Sequence, residues 1–138
     1  MKQALLRLEV ATRRGLNDIT TVVTEAVRAS GVREGLCTVF IPHTSASLVI
    51  QENADPAVQR DLESFLSRLV PDGDPLFTHR QEGDDDMSAH VKAALTRTSE
   101  QVPVQGSALA LGVWQALYVW EHRSGRLRRE LVVHVIGE

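Results

Sequence analysis

The apolar and polar positions of the N-terminal third predict a strand, a helix and two further strands. Residues 4–12 alternate apolar and polar side chains, as a strand with one buried face requires. Apolar residues then recur at helical spacing, and we expect this helix to be capped by Asp18 and ended by Gly31. Runs rich in β-branched and apolar residues predict the next two strands at 35–41 and 45–52.

The middle of the chain carries the clearest helical pattern, followed by a long polar loop. Over 55–70 the apolar residues form one stripe, with Asp55 as N-cap and Pro56 at the first helical position. The loop at 71–87 is longer than most connections in a compact domain, which favours a functional role. A short third helix is predicted over 87–97.

Strand patterns fill the rest of the chain. We expect a hairpin turn at Ser124-Gly125 and strands at 101–104, 107–114, 115–123 and 127–138. The elements together predict a strand-rich α+β fold of antiparallel strands, with helices inserted between the early ones.

The bulk composition limits the class of protein. The 138 residues, 43% of them hydrophobic, suffice for one domain, 1–138, but not for two. A net charge of -3 gives no basic footprint, so we expect no nucleic-acid partner. No apolar run approaches the roughly 20 residues of a membrane span, so we expect no membrane partner. The single Cys37 cannot form an internal disulfide, which favours a cytoplasmic protein.

Three histidines on separate segments are candidates for a metal site. His43 stands in the stretch PHTSAS after a predicted strand, His79 lies in the polar loop, and His90 lies on the short helix. Imidazole is a common zinc ligand, but no HxH or HExxH spacing joins these residues. The alternative is that each histidine is a surface or hydrogen-bonded side chain.

Carboxylates and amides give further candidates. The acidic stretch EGDDDM, which includes Asp85, is either a solvated loop or the source of a carboxylate for proton transfer or for orienting a metal ligand. Glu52 and Asn53 fall at a strand-to-helix corner, a usual place for site residues. Gln115 carries a polar amide on an otherwise apolar strand, so it needs a partner from the backbone or from a ligand.

Three blocks of the sequence follow one another in a recognisable order. They read PHTSASLVIQENADP, then H…EGDDDMSAHVKAAL, then VPVQGSALALGVWQALYVWEHR. This order resembles the YjbQ family, also called the secondary thiamine-phosphate synthase family, over essentially the whole chain. The most specific piece is LALGVWQAL, in which Val113 replaces a threonine usual in the family. Met87 and Ser88 also depart from the residues usual before Ala-His.

The resemblance implies a fold, an assembly and a cofactor. It implies an antiparallel β-sandwich of jelly-roll type with two to three added helices, assembled as a homotrimer. It also implies a divalent metal held by histidines, which correspond in this sequence to His43, His79 and His90. Three imidazoles with an open position suit a catalytic zinc ion better than magnesium, which prefers oxygen ligands.

Around such a metal, neighbouring polar residues would take catalytic and binding roles. Glu52 or Asp85 would orient a ligand histidine or accept a proton from bound water. The groups expected to contact a substrate phosphate or carboxylate are those of Thr44, Ser45, Ser47, Asn53, Gln115 and Arg128.

The resemblance also implies an activity and a small phosphorylated metabolite as substrate. The family's attributed reaction joins a pyrimidine diphosphate to a thiazole phosphate, giving thiamine phosphate and diphosphate. The residues alone leave two other functions open. A zinc-dependent hydrolase of a small phosphorylated or acylated metabolite would use metal-bound hydroxide. A non-catalytic metal or small-ligand binding module would hold a metabolite without turnover.

Overall fold

One long C-terminal strand organises the molecule. The computed structural model describes all residues, Met1–Glu138, and its last strand spans 23 residues, Gln115–Gly137. In the second half of that strand buried residues alternate with partly exposed ones, as a strand with one face on the core requires. In chain order the elements are β1 (Lys2–Asp18), α1 (Thr20–Ser30), β2 (Glu34–Phe40), β3 (Ala46–Glu52), α2 (Pro56–Leu69), α3 (Asp86–Leu95), β4 (Ser99–Gln105), β5 (Ala108–Leu109) and β6 (Gln115–Gly137).

All six strands join one antiparallel sheet. β6 pairs with β1 on one side, and on the other side with β3 near its start and with β2 near its end. β4 extends the sheet from β2, and the two-residue β5 extends it from β4. The strand-rich α+β class is therefore confirmed, as a curled antiparallel sheet with three helices. The two-sheet jelly-roll sandwich is not confirmed, because every strand belongs to the same sheet.

The turn predicted at Ser124-Gly125 is part of a bulge. The register between β1 and β6 shifts between Arg13 and Gly15, so that the β6 residues His122–Gly125 lie opposite the single Arg14. We call His122–Gly125 the β6 bulge. The hairpin prediction was wrong because both halves of β6 pair with β1, which at 17 residues is long enough for both. Gly125 has φ +86°, a conformation that glycine adopts without strain.

β5 is much shorter than the strand predicted at 107–114. Only Ala108–Leu109 pair with β4, and the chain turns again before β6 begins. Gln115 Oε1 accepts a hydrogen bond from Gly112 N (2.8 Å), which stabilises this turn. Trp114 is 63% exposed there. The strand prediction was wrong because the turn breaks the ladder after two residues.

α1 covers one face of the sheet and closes the hydrophobic core. Its buried residues Val23, Ala26 and Val27 lie three and four positions apart, on one side of the helix. They pack in a single cluster with buried apolar residues of β2, β3 and β6. Full burial of a valine or leucine side chain stabilises the fold by about 1.5–3 kcal/mol. None of the helices combines the length and the apolar composition of a membrane span.

The predicted start of α2 and the predicted end of α1 are confirmed, whereas the predicted cap of α1 is wrong. Asp55 Oδ1 accepts a hydrogen bond from the backbone N–H of Ala57 (2.9 Å) and so caps α2, and Pro56 is the first helical residue, as predicted. Gly31 ends α1 with φ +73°, also as predicted. Asp18 was wrongly predicted as the cap of α1, because the helix begins only at Thr20. Asp18 Oδ1 still accepts a hydrogen bond from Thr20 N (2.8 Å).

A buried ion pair within β6 is hydrogen-bonded to β1 and to the segment before β3. Glu121 and Arg129 are 0% and 7% exposed, and Arg129 Nε donates to Glu121 Oε1 at 2.7 Å. Thr12 Oγ1 also donates to Glu121 (2.7 Å), and Arg129 Nη2 donates to Ser45 Oγ (3.0 Å). Burial alone would raise the pKa of Glu121, but the hydrogen bonds from Arg129 and Thr12 hold it below its usual value. We call these four residues the buried pair network.

His122, the first residue of the β6 bulge, is buried as well. Its Nε2 lies 2.9 Å from Ser47 Oγ, and its Nδ1 is buried without a hydrogen-bond partner. Burial, together with the nearby charge of Lys92, lowers the pKa of His122 to about 3. The ring is therefore neutral near pH 7 and contributes to packing.

Candidate metal centre

The first turns of α3 and the loop before it bring two histidines to one carboxylate. Asp86 and His90 are four residues apart on α3, so their side chains lie on one face of the helix. His90 Nε2 lies 3.0 Å from Asp86 Oδ2, and His79 Nε2 lies 2.7 Å from the same oxygen. The metal-binding atoms of the three residues lie within 4.8 Å of one another. We call these residues the His79–Asp86–His90 cluster.

The protons of His90 make the cluster unusual. Its Nδ1 lies 2.9 Å from the carbonyl oxygen of Thr44, and because a carbonyl only accepts, Nδ1 carries a proton. In a neutral ring Nε2 then holds a lone pair, and it faces the lone pairs of Asp86 Oδ2. This contact is favourable only when a proton or a metal cation lies between the two atoms.

Asp86 is the buried member of the cluster. Its side chain is 4% exposed, whereas those of His79 and His90 are 40% and 32% exposed. Burial alone would raise the pKa of Asp86, but the hydrogen bond from His79 and the charges of His90 and Arg123 hold it below its usual value. The cluster therefore has an anionic carboxylate at its base and two imidazoles that face solvent.

The donor set fits a zinc ion. Two imidazole nitrogens and one carboxylate oxygen occur together in catalytic zinc sites, which keep a further position open. A tetrahedral zinc ion with bonds of about 2.0–2.1 Å separates its ligand atoms by about 3.3 Å. The observed distances from Asp86 Oδ2 to the two imidazole nitrogens, 2.7 and 3.0 Å, are slightly shorter than that, and all three atoms lie within 4.8 Å of one another. The Thr44 carbonyl also gives His90 the orienting hydrogen bond that metal-bound histidines usually have.

Comparison with known protein families identifies the chain. A family model described as "UPF0047 protein YjbQ-like" matches residues 4–138. The chain belongs to this family. The resemblance carried by the three sequence blocks is therefore confirmed, and it extends over almost the whole YjbQ-like domain.

Relatives and solved structures of the YjbQ-like family agree with this assignment. UPF0047 protein sll1880 of Synechocystis sp. is 49% identical over 132 residues, which are 95% of this chain and 90% of the relative. UPF0047 protein YjbQ of Escherichia coli O157:H7 is 36% identical over 129 residues, which are 93% of each protein. A crystal structure of a YjbQ/UPF0047 protein from Clostridium acetobutylicum matches with a TM-score of 0.86 at 35% identity, covering 95% of this chain and 99% of that one. These names state the family and no activity.

The structure brings together two of the three predicted histidine ligands. His79 and His90 share the cluster, and its third metal-binding group is the carboxylate of Asp86. His43 is not part of the cluster, although the residue after it, Thr44, contacts His90 through its carbonyl. His43 as a metal ligand of this YjbQ-like chain therefore stays a prediction.

His43 lies instead in a surface cleft beside paired charges. Its Nε2 accepts a hydrogen bond from Glu130 N (2.8 Å). The cleft has a volume of about 350 Å³, and Arg7, Glu9 and Arg128 also line it. Arg7 pairs with Glu130 and Arg128 pairs with Glu9 across β1 and β6. The predicted binding residue Arg128 thus shares a cleft with His43, outside the His79–Asp86–His90 cluster.

Glu52, Asn53 and Gln115 hold the corner between β3 and β6. Glu52 Oε2 accepts two backbone N–H bonds just before α2 (2.6 and 2.8 Å), and Asn53 Nδ2 donates to two carbonyls at the start of β6 (3.2 Å each). Gln115 uses its amide oxygen in the preceding turn. All of these side-chain hydrogen bonds are made to backbone atoms of the corner. The catalytic role of Glu52 and the binding roles of Asn53 and Gln115 stay predictions.

The hydroxyl residues after His43 divide into exposed and buried positions. Thr44 is exposed at the cluster, where it contributes its carbonyl. Ser45 and Ser47 are 7% and 0% exposed, and their hydroxyls contact Arg129 and His122 inside the protein. These two hydroxyls make their hydrogen bonds to buried side chains. Substrate contacts by Ser45 and Ser47 remain predictions.

Asp85 ties the acidic loop to the β6 bulge. Ser124 donates to Asp85 Oδ2 through its backbone N (2.9 Å) and its Oγ (3.1 Å), and Arg123 Nη2 lies 3.4 Å from Oδ1. Burial would raise the pKa of Asp85, but these donors lower it to about 2. A carboxyl with so low a pKa is a weak proton acceptor at neutral pH. This property suits a residue that holds the loop to the β6 bulge. Its catalytic role stays a prediction.

Asp86 is the cluster residue that the sequence analysis did not select as a ligand. It forms a D-x-x-x-H pair with His90, and this spacing places both side chains on one helical face. A search for HxH and HExxH pairs passes over it. Arg123, which lies beside Asp86, has no signal of this kind because its position depends on the β6 bulge.

Proposed function

We propose that this protein is a metal-dependent enzyme whose divalent ion, most suitably zinc, is held by His79, Asp86 and His90. One observation carries the proposal. A single buried carboxylate oxygen faces two imidazole nitrogens, and the Thr44 carbonyl leaves His90 with a lone pair directed at that oxygen. A cation between these atoms would satisfy all three groups together.

The open side of the cluster supports a catalytic ion over a structural one. Structural zinc sites are closed by four protein ligands, whereas the cluster offers three. The side chains of its two histidines are also partly exposed to solvent. A zinc ion in such a site supplies Lewis acidity and lowers the pKa of bound water. The chain's own contribution is to keep Asp86 ionised and His90 in one orientation.

The proposed substrate is a small phosphorylated metabolite. The family resemblance suggests a specific reaction, the joining of a pyrimidine diphosphate to a thiazole phosphate with release of diphosphate. The cleft with His43, Arg7 and Arg128 supports an anionic ligand, since guanidinium groups bind phosphate in a bidentate manner. Both arginines are paired with glutamates, so the ligand would have to replace those partners.

The metal is tested first, by elemental analysis of the purified protein and by zinc titration. We expect one equivalent of zinc, lost in His90→Ala and in Asp86→Asn. His134→Ala is the matched control, because His134 is a β6 histidine outside the cluster whose Nε2 lies 2.9 Å from Gln3 Oε1. Zinc binding that survives Asp86→Asn and His90→Ala would contradict the proposed ligand set.

The reaction is tested next, with the zinc-loaded protein and the two phosphorylated precursors. Formation of thiamine phosphate that is lost in His90→Ala and kept in His134→Ala would support the transferase. Light scattering on the same sample tests the homotrimer that the family resemblance implies. A zinc-loaded protein that forms no product would contradict the thiamine step but leave the metal site standing.

A hydrolase is the second candidate, and the open position of the cluster favours it. Metal-bound hydroxide is the usual nucleophile of such a site. A panel of small phosphoesters and carboxylic esters tests it, with turnover expected only from the zinc-loaded protein. Zinc binding without turnover of any compound, together with tight binding of a metabolite, would instead support a non-catalytic binding module.

A further inference from the structure

The β6 bulge places Arg123 against the far side of the cluster carboxylate. Arg123 Nε lies 3.3 Å from Asp86 Oδ1, the oxygen that the two histidines do not contact. This Nε is buried and has no hydrogen-bond partner, so the contact is an ion pair without hydrogen-bond alignment. The two oxygens of Asp86 are therefore divided between the imidazoles on one side and the guanidinium on the other.

Arg123 is itself fixed in place. Its Nη2 donates to the carbonyl oxygen of Glu82 (2.8 Å) and lies 3.4 Å from Asp85 Oδ1. Its side chain is 25% exposed. The guanidinium cannot turn away from Asp86 without breaking these contacts, so it presents a constant partner to Oδ1.

We propose that Arg123 is a positioning residue, which holds Asp86 Oδ1 so that Oδ2 stays directed between His79 and His90. The proposal rests on the metal site proposed above. The terminal torsion of an aspartate is soft, and a carboxylate held at one oxygen loses that freedom.

Two effects of Arg123 on a bound cation oppose each other. Its positive charge repels the cation, whereas its hold on Asp86 orients a ligand in advance. Asp85 lies beside the guanidinium and offsets much of its charge. Orientation therefore outweighs repulsion, and loss of Arg123 weakens metal binding.

The experiment measures zinc affinity by competition with a chromophoric chelator, for the full chain and its variants. We expect Arg123→Gln to weaken zinc binding by about 10–100-fold, the usual effect of removing a group that orients a metal ligand. Arg123→Lys should recover only part of this loss, because an ammonium lacks the planar fork. The visible absorption bands of bound Co²⁺ should shift in Arg123→Gln, because they report the ligand arrangement directly.

Two matched variants separate orientation from other roles of Arg123. Ser124→Ala removes one hydrogen bond of the loop anchor, from Ser124 Oγ to Asp85 Oδ2, and leaves the contacts of Arg123 in place, whereas Arg126→Gln makes the same charge change at an exposed position of β6. Both should bind zinc within about threefold of the wild type, as expected for changes that leave the ligand contacts intact.

Three results would overturn the proposal. Equal or tighter zinc binding by Arg123→Gln, with an unchanged Co²⁺ spectrum, would show that the guanidinium charge matters more than its hold on Asp86. An equal loss in Ser124→Ala would assign the effect to the loop anchor. A wild type that binds no zinc would remove the proposed metal site and this inference together, whereas the first two results leave the metal site intact.

Discussion

Two buried carboxylates in this protein each gather several partners, but the partners differ in kind. Glu121 is contacted by the guanidinium of Arg129, the hydroxyl of Thr12 and a backbone N–H, all of which donate hydrogen bonds to it. Asp86 is contacted at Oδ1 by the guanidinium of Arg123 and at Oδ2 by two imidazoles, which are common metal ligands. All contacts of Glu121 are made by the fold, whereas Asp86 Oδ2 and the His90 lone pair that faces it need a proton or a cation between them.

The difference separates stability from function. The buried pair network joins β1, β6 and the segment before β3, and it needs nothing from outside the chain. The His79–Asp86–His90 cluster lies at the surface with two exposed imidazoles. Changes in the first region should therefore alter folding and spare metal binding, and changes in the second should do the reverse.

The largest effect is expected from breaking the buried pair network. Arg129→Ala leaves the Glu121 carboxylate buried without its main counter-ion, and removal of one partner of a buried pair costs about 3–5 kcal/mol. We expect the free energy of unfolding in urea to fall by that amount, while the folded fraction keeps its zinc affinity.

The double variant Arg129→Met/Glu121→Leu serves as the control. It removes both charges, so its loss should be smaller than that of Arg129→Ala. A single variant as stable as the wild type would mean that the pair is not buried in solution.

The next effect comes from the metal itself. A ligand at 100 times its Kd stabilises a folded protein by about 2.7 kcal/mol. We expect zinc at this excess to stabilise the wild type and Arg126→Gln equally, and to leave Asp86→Asn unchanged, as measured by urea unfolding with and without zinc. Equal stabilisation of Asp86→Asn would place the ion elsewhere.

A smaller effect links the buried His122 to pH. Its pKa is lowered from 6.5 to about 3 in the folded protein, so between these values the unfolded chain binds a proton that the folded chain excludes. Stability is therefore fully present above about pH 6.5 and falls as the pH decreases, by at most about 1.4 kcal/mol per pH unit. His122→Gln should show a shallower fall between pH 6 and 4.5.

A second histidine of β6, His134, provides the control for this pH test. His134→Ala is the control for replacing a β6 histidine, because His134 is half-buried and its Nε2 lies 2.9 Å from Gln3 Oε1. Urea unfolding at several pH values measures all three proteins. Identical slopes for the wild type and His122→Gln would show that water reaches the ring of His122 in solution.

Local signals in the sequence predicted most of the elements. The cap at Asp55, the end of α1 at Gly31 and the alternation in 4–12 each depend on residues close in the chain, and each was confirmed. The hairpin at Ser124-Gly125 was wrong because turn residues do not reveal a long partner. Only the pairing of both halves of β6 with β1 makes that turn a bulge.

The candidate site was predictable only in part, for the same reason. His79 and His90 were candidates from the residues alone and ligands by the family resemblance, and the structure brings them together. Asp86 was not predicted as a ligand, although its spacing of four residues from His90 places both side chains on one face of a helix. The burial of Ser47 against His122, and the contact of Arg123 with Asp86, depend on strand register and on the bulge. No local pattern fixes those two features.

The smallest effect is expected from an ion pair that resembles the buried one in composition but not in burial. Arg128 pairs with Glu9 while their side chains are 65% and 59% exposed, next to the buried Arg129 on the same strand. Exposed pairs contribute about 0.2–1 kcal/mol and lose this in salt, because water and ions screen the charges. Glu9→Gln should therefore lower the free energy of unfolding by less than about 1 kcal/mol, and by less still in 1 M salt. Arg129→Ala should keep its loss at both salt concentrations, since ions do not enter the buried site. A loss in Glu9→Gln as large as that in Arg129→Ala would mean that burial does not distinguish these two neighbouring arginines.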